Sequence, residues 1–456
     1  MSSFGPTGPI IVICGNGASA VALLHALAAC SLIPLTIFVI GAGKRGAGLA
    51  YGTDNPSHLL NTPAGRMSID PDEPEQFVEW LRKHDLWRAD WESQFVPRQY
   101  YGRYLREAAA LATLAPGLAI HFLQEDVISL TRFQARSQTN WRVAYAGGQI
   151  DADFVVLATG NDMPSPLAPR LAPALSASVV DNPWELPPIR EDERVLVLGT
   201  GLTAVDTVLS LADRGHRGEI VLLSRHGLLP HTHVRLRPHA PLTEPYPKTA
   251  LSVLQALRLA AGHRDTARWQ GVMDAMRPHW HEVWQGLPLA EQRRFLRHGA
   301  TIWNMHRHRV APQVARRLQQ VLGRNGRVIK GRITSIEADG DSAALIAISG
   351  GRRLTADRIV NCVGPNSDPE KSHNRLIENV VASLQARTAP SGIGLDVTHD
   401  DRVIGHDGQA HASLFAMGSL TRGRWWEITG LPEIVLQARD IARRLQARAL
   451  AKSRTA

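Results

Sequence analysis

The fold is set by residues 10–20, which read Ile10-Ile11-Val12-Ile13-Cys14-Gly15-Asn16-Gly17-Ala18-Ser19-Ala20. This segment begins as a short β-branched run, typical of a buried strand, and passes through two glycines into a helical apolar pattern. The same order recurs as Val195-Leu196-Val197-Leu198-Gly199-Thr200-Gly201-Leu202-Thr203-Ala204. One Gly-x-Gly-x-x-Ala motif is a weak signal. Two copies, each inside a strand–turn–helix–strand unit, predict two dinucleotide-binding units.

The two motifs, which we name the first cradle (residues 15–20) and the second cradle (residues 199–204), suit a pyrophosphate. In each, the first glycine permits a tight turn and the second lets the backbone approach the phosphates, while the final alanine lets the helix pack closely. The helix N-terminus then presents free N–H groups and a positive dipole to the anion. We therefore expect every residue of both cradles to bind a dinucleotide: Gly15, Asn16, Gly17, Ala18, Ser19, Ala20, Gly199, Thr200, Gly201, Leu202, Thr203 and Ala204.

A second repeat follows each cradle. Residues 152–160 resemble residues 356–364, and short alternating strands precede both segments. Each segment ends in a glycine, Gly160 or Gly364, at which the backbone can approach a ligand closely. We expect these two glycines to lie beside the bound cofactors.

The two repeats predict an α/β fold with two Rossmann-like dinucleotide-binding domains and helical insertions. The first domain is expected to be discontinuous, formed by residues 1–180 and 326–456. The second domain is expected over residues 185–325, with a helical lid at about 246–322, where apolar residues recur at helical spacing. Tryptophans 280, 284 and 303 lie in this lid, and we expect them to pack in its core.

Composition excludes several classes of protein. The net charge of +9 comes from scattered arginines, with only six lysines and no long basic stretch interleaved with aromatic residues. We therefore expect no nucleic-acid partner. The three cysteines, Cys14, Cys30 and Cys362, form no CxxC pair, which predicts neither a disulfide framework nor a redox dithiol and favours the cytoplasm.

The apolar N-terminal region is predicted not to enter a membrane. Gly15, Gly17 and Pro34 interrupt it before it reaches the roughly 20 apolar residues of a spanning helix. Three His-x-His pairs occur, but no carboxylate or thiolate stands at metal-ligand spacing beside them, so we expect no metal site.

The residue after the second strand of each unit determines ribose chemistry. In the second unit Arg225 stands there, after Ser224, and a guanidinium at this place favours the 2′-phosphate of NADPH over NADH. In the first unit the equivalent residue is Gly41, which offers no carboxylate to a ribose hydroxyl. That ribose contact is left unexplained by the sequence.

Several segments resemble a known flavoprotein family, the one that includes bacterial FAD-dependent urate hydroxylase. They are Gly46 to Tyr51, His58 to Ser68, Phe95 to Arg98, Tyr101 to Leu105, Ser224 to Pro230, His306 to Arg309 with Pro312, Asn361 to Pro365 and Gly418 to Pro432. The resemblance covers nearly the whole chain. It implies a flavin monooxygenase-like fold with FAD on the first cradle, NAD(P)H on the second, and monooxygenation in at least one member. It departs from the family at Gly41, where relatives often carry an acidic residue.

The resemblance also suggests where the flavin lies. We expect Asn61, Arg66 and Met67 near the flavin ring, Gly418 beside the cofactor, and the helix entered at Pro432 directed at the flavin pyrimidine. His306 and His308 are candidate substrate contacts. No residue is assigned a proton-transfer role.

Without a dithiol to receive electrons, molecular oxygen is the simplest electron acceptor. We therefore expect a monooxygenase that uses FAD, NADPH, oxygen and a small molecule, with conversion of urate to 5-hydroxyisourate as the leading hypothesis. Two alternatives remain open: N-hydroxylation of an amine on the same scaffold, and a non-catalytic flavin redox partner or sensor.

Overall fold

The computed structural model describes residues 8–135, 138–171, 173–236, 239–262, 265–339 and 343–455. Its strands are β1 (Ile10–Cys14), β2 (Leu35–Ile40), β3 (Leu118–Leu123), β4 (Val127–Ala135), β5 (Gln138–Tyr145), β6 (Gly148–Ala152), β7 (Phe154–Leu157), β8 (Val179–Val180), β9 (Val195–Leu198), β10 (Ile220–Ser224), β11 (Gly326–Lys330), β12 (Ile333–Asp339), β13 (Ala343–Ile348), β14 (Arg352–Ala356), β15 (Arg358–Asn361), β16 (Arg402–Ile404) and β17 (Ala410–Ala416).

The helices lie between these strands and after the last of them. They are α1 (Ala18–Cys30), α2 (Gly48–Tyr51), α3 (Gln76–Lys83), α4 (Arg98–Ala112), α5 (Pro173–Ser176), α6 (Leu202–Asp213), α7 (Ala250–Ala261), α8 (Thr266–Ala275), α9 (Trp280–Gly286), α10 (Leu289–His298), α11 (Ala300–Arg307), α12 (Pro312–Asn325), α13 (Arg375–Ala382) and α14 (Leu431–Thr455). None of the described helices combines the length and apolar character that crossing a bilayer requires.

The first sheet has the strand order β16-β17-β7-β1-β2-β3, and all its pairs are parallel except β16 with β17. Strand β1 lies in its interior, and Ile11 to Cys14 are fully buried, as a continuous apolar run in a parallel sheet requires. Helices α1 and α14 pack on one face. Both ends of the chain therefore contribute to this sheet.

The second sheet has the order β11-β10-β9-β15-β8, and its pairs are all parallel. Strands β11 and β15 come from residues beyond 325, where the sequence analysis placed the end of the second domain. The difference arises because β15 inserts beside β9, and this pairing joins residues far apart in sequence. The two parallel sheets confirm the predicted α/β class.

Two antiparallel sheets, β4-β5-β6 and β12-β13-β14, form the arms that precede Gly160 and Gly364. The lid comprises α7 to α11, whose buried residues include Leu257, Trp280 and Trp303. Helix α12, which was expected in the lid, instead packs Val314, Leu318 and Val321 against the core of the second sheet. The lid therefore ends at about residue 307.

Candidate cofactor and substrate site

The first cradle has the geometry of a phosphate site. At Gly15, where φ is +125°, an added Cβ would lie 2.2 Å from the carbonyl oxygen of Ala158, directly after β7, so the tight turn requires glycine. Gly17 is the N-cap of α1 and supplies no side-chain cap, so the first N–H groups of the helix remain available. These groups fit an anion such as the pyrophosphate of FAD.

Gly41 is explained by packing against the first cradle. A Cβ at residue 41 would lie 2.8 Å from the backbone nitrogen of Asn16, and the Asn16 side-chain amide donates a 2.6 Å hydrogen bond to the Gly41 carbonyl. Asn16 is itself buried. Asn16 therefore leaves no room for a side chain at residue 41.

A cavity of about 420 Å³, which we name the cradle cavity, lies where the two parallel sheets meet. It is lined by residues of the first cradle and by groups from the second unit. Cys14, Gly15, Asn16, Gly17, Ala18, Ser19, Gly160, Thr203, Gly364, Leu431 and Ile434 are among its lining residues. Gly160, Gly364 and Thr203, which the sequence predicts to bind cofactors, thus line the same cavity as the first cradle.

The start of α14 lies at the same cavity, since Leu431 and Ile434 line it. The helix is 25 residues long, and its N-terminal dipole end faces this region. The helix N-terminus therefore lies at the cavity that the first cradle lines, and its proximity to the flavin remains a prediction. Ala20 lies in the core of the first domain.

The second cradle repeats the geometry of the first. A Cβ at Gly199 would lie 2.2 Å from the carbonyl oxygen of Cys362 on the neighbouring segment, while at Gly201 it would meet nothing within 4 Å. Gly201 is the N-cap of α6 and provides no side-chain cap, as Gly17 does for α1. Ala204 is fully buried where α6 packs on its sheet. Leu202 packs at the edge of that core.

Two cations stand at the strand ends beyond the second cradle. Thr200 donates a hydrogen bond of 3.0 Å to the Ser224 hydroxyl, and Arg225, the next residue, is exposed. Strand pairing places Lys330, also exposed, opposite Ser224. Neither cation forms an ion pair with the residues that the structure describes. Together they fit the 2′-phosphate of NADPH, and Lys330 was missed because only the pairing of β10 with β11 brings it there.

Replacing Arg225 by alanine should raise the KM for NADPH by about 10- to 100-fold, because a charge-assisted hydrogen bond contributes roughly 1.5–3 kcal/mol. The KM for NADH should not change. Lys330→Ala should also raise the KM for NADPH. Steady-state kinetics with both nucleotides measures this. Arg327→Ala is the matched control, since Arg327 lies on β11, as Lys330 does, but pairs with Glu219 at 2.9 Å. An unchanged nucleotide preference in Arg225→Ala would refute the assignment.

Gly418 is held by the C-terminal helix. Its backbone N–H donates to the side-chain oxygen of Gln437 at 2.8 Å, and the Gln437 amide donates to Asp401 at 2.8 Å. The next residue, Ser419, has a buried hydroxyl without a partner among the described residues. Such a hydroxyl is suited to bond a polar group of a bound cofactor.

The buried Asp401 should make stability depend on pH. Burial raises the pKa of Asp401 to about 6. The folded carboxyl therefore holds its proton more tightly than the unfolded one, and stability is lost as pH rises from about 4 to about 6. The loss should reach about 3 kcal/mol.

Asp401→Asn should lack this decline, and asparagine tolerates the φ of +61° at this residue. Urea unfolding of both proteins across this pH range measures the difference. Identical pH profiles in the two proteins would contradict the assignment.

The residues expected near the flavin ring occupy three different environments. Met67 is buried in the core of the first domain, and the Asn61 carbonyl accepts a hydrogen bond of 2.9 Å from His233. Arg66 is exposed and pairs with Asp274 of the lid at 2.6 Å. Arg66 thus joins the first domain to the lid, while the flavin contact of all three remains a prediction.

The two candidate histidines are half-buried, His306 in the last helix of the lid and His308 directly after it. His306 stacks on Trp269 with ring centroids 5.1 Å apart and lines a cavity within the lid. Burial lowers the pKa of His306 and of His308 to about 4 each. Both rings are therefore neutral at pH 7. Within the described ranges, no three His, Cys, Asp or Glu side chains are placed to hold a metal ion.

A buried ion cluster joins the lid to the segment before α14. The Arg307 guanidinium donates to Glu427 at 2.6 Å, and Trp303 donates to the other Glu427 oxygen at 2.6 Å. Glu433, in the first turn of α14, pairs with Arg277 at 2.7 Å. Burial raises the pKa of Glu427, but Arg307 and neighbouring donors lower it further, so that its net shift is downward. The lid is therefore anchored at the edge of the cradle cavity.

A family model matches the N-terminal third of the chain. Residues 12–162 match the model of a family described as FAD-NAD(P)-binding. No curated protein matches the chain. The family match agrees with the predicted cofactors, FAD and a nicotinamide dinucleotide, whereas the preference for NADPH remains a prediction.

Solved structures share the fold across nearly the whole chain. Cadaverine monooxygenase of desferrioxamine biosynthesis from Erwinia amylovora, bound to FAD, is 15% identical, with a TM-score of 0.64 over 98% of this chain and 96% of that one. L-Lysine 6-monooxygenase from Pseudomonas syringae is 16% identical, with a TM-score of 0.64 over 97% and 100%. Ornithine N-hydroxylase from Kutzneria sp. 744, with reduced FAD, NADP⁺ and L-ornithine, is 14% identical, with a TM-score of 0.60 over 97% and 100%. The chain thus has the predicted flavin monooxygenase-like fold.

Proposed function

We propose that this protein is an FAD-dependent, NADPH-consuming monooxygenase that hydroxylates the nitrogen of a primary amine. The observation that carries the proposal is the cradle cavity, in which Gly15 to Ser19 of one unit face Thr203 and Gly364 of the other. A flavin on the first cradle and a nicotinamide on the second would meet there, as hydride transfer requires.

The cysteines favour oxygen as the electron acceptor. Cys14 and Cys362 both line the cradle cavity, but burial raises the pKa of each to about 12. Neither thiol is therefore available as a thiolate for disulfide exchange. Electrons from NADPH have no dithiol to reach among these residues, which supports a monooxygenase over a disulfide reductase.

When bound, FAD supplies the two-electron chemistry that passes the reducing equivalents of NADPH to O₂. The balanced reaction takes a primary amine, O₂, NADPH and one proton to a hydroxylamine, NADP⁺ and water. One oxygen atom enters an N–H bond and the other leaves as water. The chain binds both nucleotides through its cradles and excludes water with its lid.

An amine is favoured over urate by the lid and by the similar structures. Only an unprotonated amine has the lone pair that accepts oxygen, and the aromatic surrounding of His306, whose ring is neutral at pH 7, would lower the pKa of an amine bound beside it. The three similar structures above are named as ornithine, lysine and cadaverine hydroxylating enzymes, although likeness at this identity extends to the fold alone. Urate, the substrate expected from sequence, has no such support.

The experiment measures NADPH and O₂ consumption by the FAD-loaded protein with lysine, cadaverine, 4-phenylbutylamine or urate. We expect at least one amine to accelerate NADPH oxidation and to yield a hydroxylamine in equal amount, with little hydrogen peroxide. Consumption of urate would restore the first hypothesis. Peroxide formed in equal amount to NADPH, whatever the added molecule, would favour a redox partner or sensor and contradict the proposal.

A further inference from the structure

The lid encloses a cavity of about 430 Å³, which we name the lid cavity. Its walls come from α7 to α11 and from Trp426 in the segment before α14. Val253, Leu254, Leu257, Met273 and Trp280 are among its apolar lining residues. The sequence analysis assigned the lid tryptophans to core packing, and they do pack together, since the rings of Trp280 and Trp303 lie 4.4 Å apart. The same rings also line the open space of the cavity.

The lining of this cavity favours an apolar ligand. Five tryptophans (269, 280, 284, 303 and 426) and Phe295 line it, and no carboxylate does so among the described residues. Aromatic side chains offer large contact areas to flat or chain-like apolar groups. A cationic group bound inside would find no counter-charge. The cavity therefore suits the uncharged, apolar part of a molecule.

Two indole N–H groups mark a place for a hydrogen-bond acceptor. Trp280 is 2% exposed and Trp426 is 4% exposed, yet neither indole nitrogen has a partner among the described residues. By contrast, Trp284 donates to the Gly423 carbonyl at 2.9 Å, and Trp303 donates to Glu427. Buried donors are nearly always paired, so each of these two N–H groups is a candidate donor to a ligand oxygen.

The cavity has an opening and lies next to the cofactor site. Leu251 and Ile302, which are 62% and 45% exposed, line its rim, together with the exposed side chains of Arg258 and His298. On the other side, Trp426 lines the lid cavity and Thr429, three residues on, lines the cradle cavity. A molecule entering from solvent would therefore reach the segment that borders the flavin site.

From these observations we infer that the lid cavity binds the body of the substrate, an aromatic or long alkyl group carrying a carbonyl or carboxylate oxygen. The inference rests on the proposed function in that the bound molecule is taken to be the substrate, whereas binding itself can be tested without the reaction. A substrate with a large apolar body would distinguish this chain from enzymes that act on small polar amines or on urate.

Isothermal titration calorimetry of the FAD-loaded, oxidised protein without NADPH tests this directly. The probes are 4-phenylbutanoate, 4-phenylbutanamide and butanoate. We expect 4-phenylbutanoate to bind at least 10-fold more tightly than butanoate, because a phenyl ring buries a large apolar area. Equal binding of the amide would support recognition of a neutral acceptor, and preference for the acid would support recognition through Arg258 at the rim. Failure of both phenyl compounds to bind, or equal binding of butanoate, would overturn the inference.

Two variants on one helix provide a matched pair. Leu254→Trp replaces an isobutyl group by a larger indole ring in the lid cavity and should weaken 4-phenylbutanoate binding at least 10-fold. Leu259, also on α7, is 86% exposed and outside the cavity lining, so Leu259→Trp should bind as the unmodified protein does. Retained flavin absorbance shows that each variant is folded. Unchanged binding in folded Leu254→Trp would overturn the inference.

A third variant tests the acceptor site. Trp280→Phe keeps an aromatic ring in the wall but removes the N–H donor, and should weaken 4-phenylbutanoate binding by about 10-fold. Intact probe binding without any amine hydroxylation would reject the proposed reaction alone. Amine hydroxylation without probe binding would reject the lid inference alone.

Discussion

Replacing Gly17 by aspartate is expected to give a protein that folds but no longer retains FAD. Residue 17 is the N-cap of α1 with extended backbone angles, which any residue adopts, and its Cβ would come no closer than 3.5 Å to Gly48. An aspartate carboxylate there would itself accept hydrogen bonds from the free N–H groups of the helix, and it would place a negative charge where the pyrophosphate is expected to bind. Loss of two such charge-assisted hydrogen bonds corresponds to about 100-fold or more in affinity.

Gly201→Asp is the matched variant in the second cradle, where the added side chain meets nothing within 4 Å. We expect it to remain yellow while its flavin is no longer reduced by NADPH at ordinary concentrations. Visible absorbance after gel filtration measures flavin retention, and urea unfolding confirms that both variants are folded. A Gly17→Asp protein that keeps its flavin, or a Gly201→Asp protein that NADPH still reduces normally, would show that the cradles have been assigned incorrectly.

Removing Glu427 should have the largest effect on stability. The side chains of Arg307 and Glu427 are 11% and 8% exposed, and Trp303 also donates to this carboxylate. Glu427→Ala would leave the buried Arg307 guanidinium with Glu433, at 3.8 Å, as its one remaining ion pair among the described residues. Breaking a buried pair in this way costs about 3–5 kcal/mol. Urea unfolding, followed by tryptophan fluorescence, reports the loss.

The matched control is Glu92→Ala, which removes another glutamate paired with an arginine. Glu92 and Arg316 are 43% and 56% exposed, so their pair should contribute less than about 1 kcal/mol. A similar loss of stability in both variants would contradict the view that the Glu427 cluster anchors the lid. Weaker binding of 4-phenylbutanoate to folded Glu427→Ala would further connect the cluster to the lid cavity.

The features that sequence predicts well here are local ones. A β-branched run followed by Gly15 and Gly17 specifies a strand, a turn and a helix within twenty residues, and the second cradle repeats this specification. Because each element depends on its own neighbours in sequence, both parallel units could be predicted from the chain alone. The proposed role of Arg225 rests on the same kind of local pattern and remains a prediction.

The features that sequence missed depend on long-range packing. Strand β15 joins the second sheet beside β9, and β11 brings Lys330 opposite Ser224, next to Arg225, although no local pattern reports either pairing. Gly41 is required by the backbone of Asn16, which only the folded turn brings close. The lid tryptophans show the helical spacing of core residues, and the space they surround depends on how far apart the helices pack.

The most direct test of the account is anaerobic addition of NADPH to the FAD-loaded protein while its visible absorbance is recorded. The account predicts that the flavin absorbance bleaches with NADPH, bleaches far less with NADH at the same concentration, and returns when air is admitted. A protein that takes up no FAD, or one whose bound flavin is indifferent to NADPH, would contradict the assignment of the two cradles to one electron-transfer site.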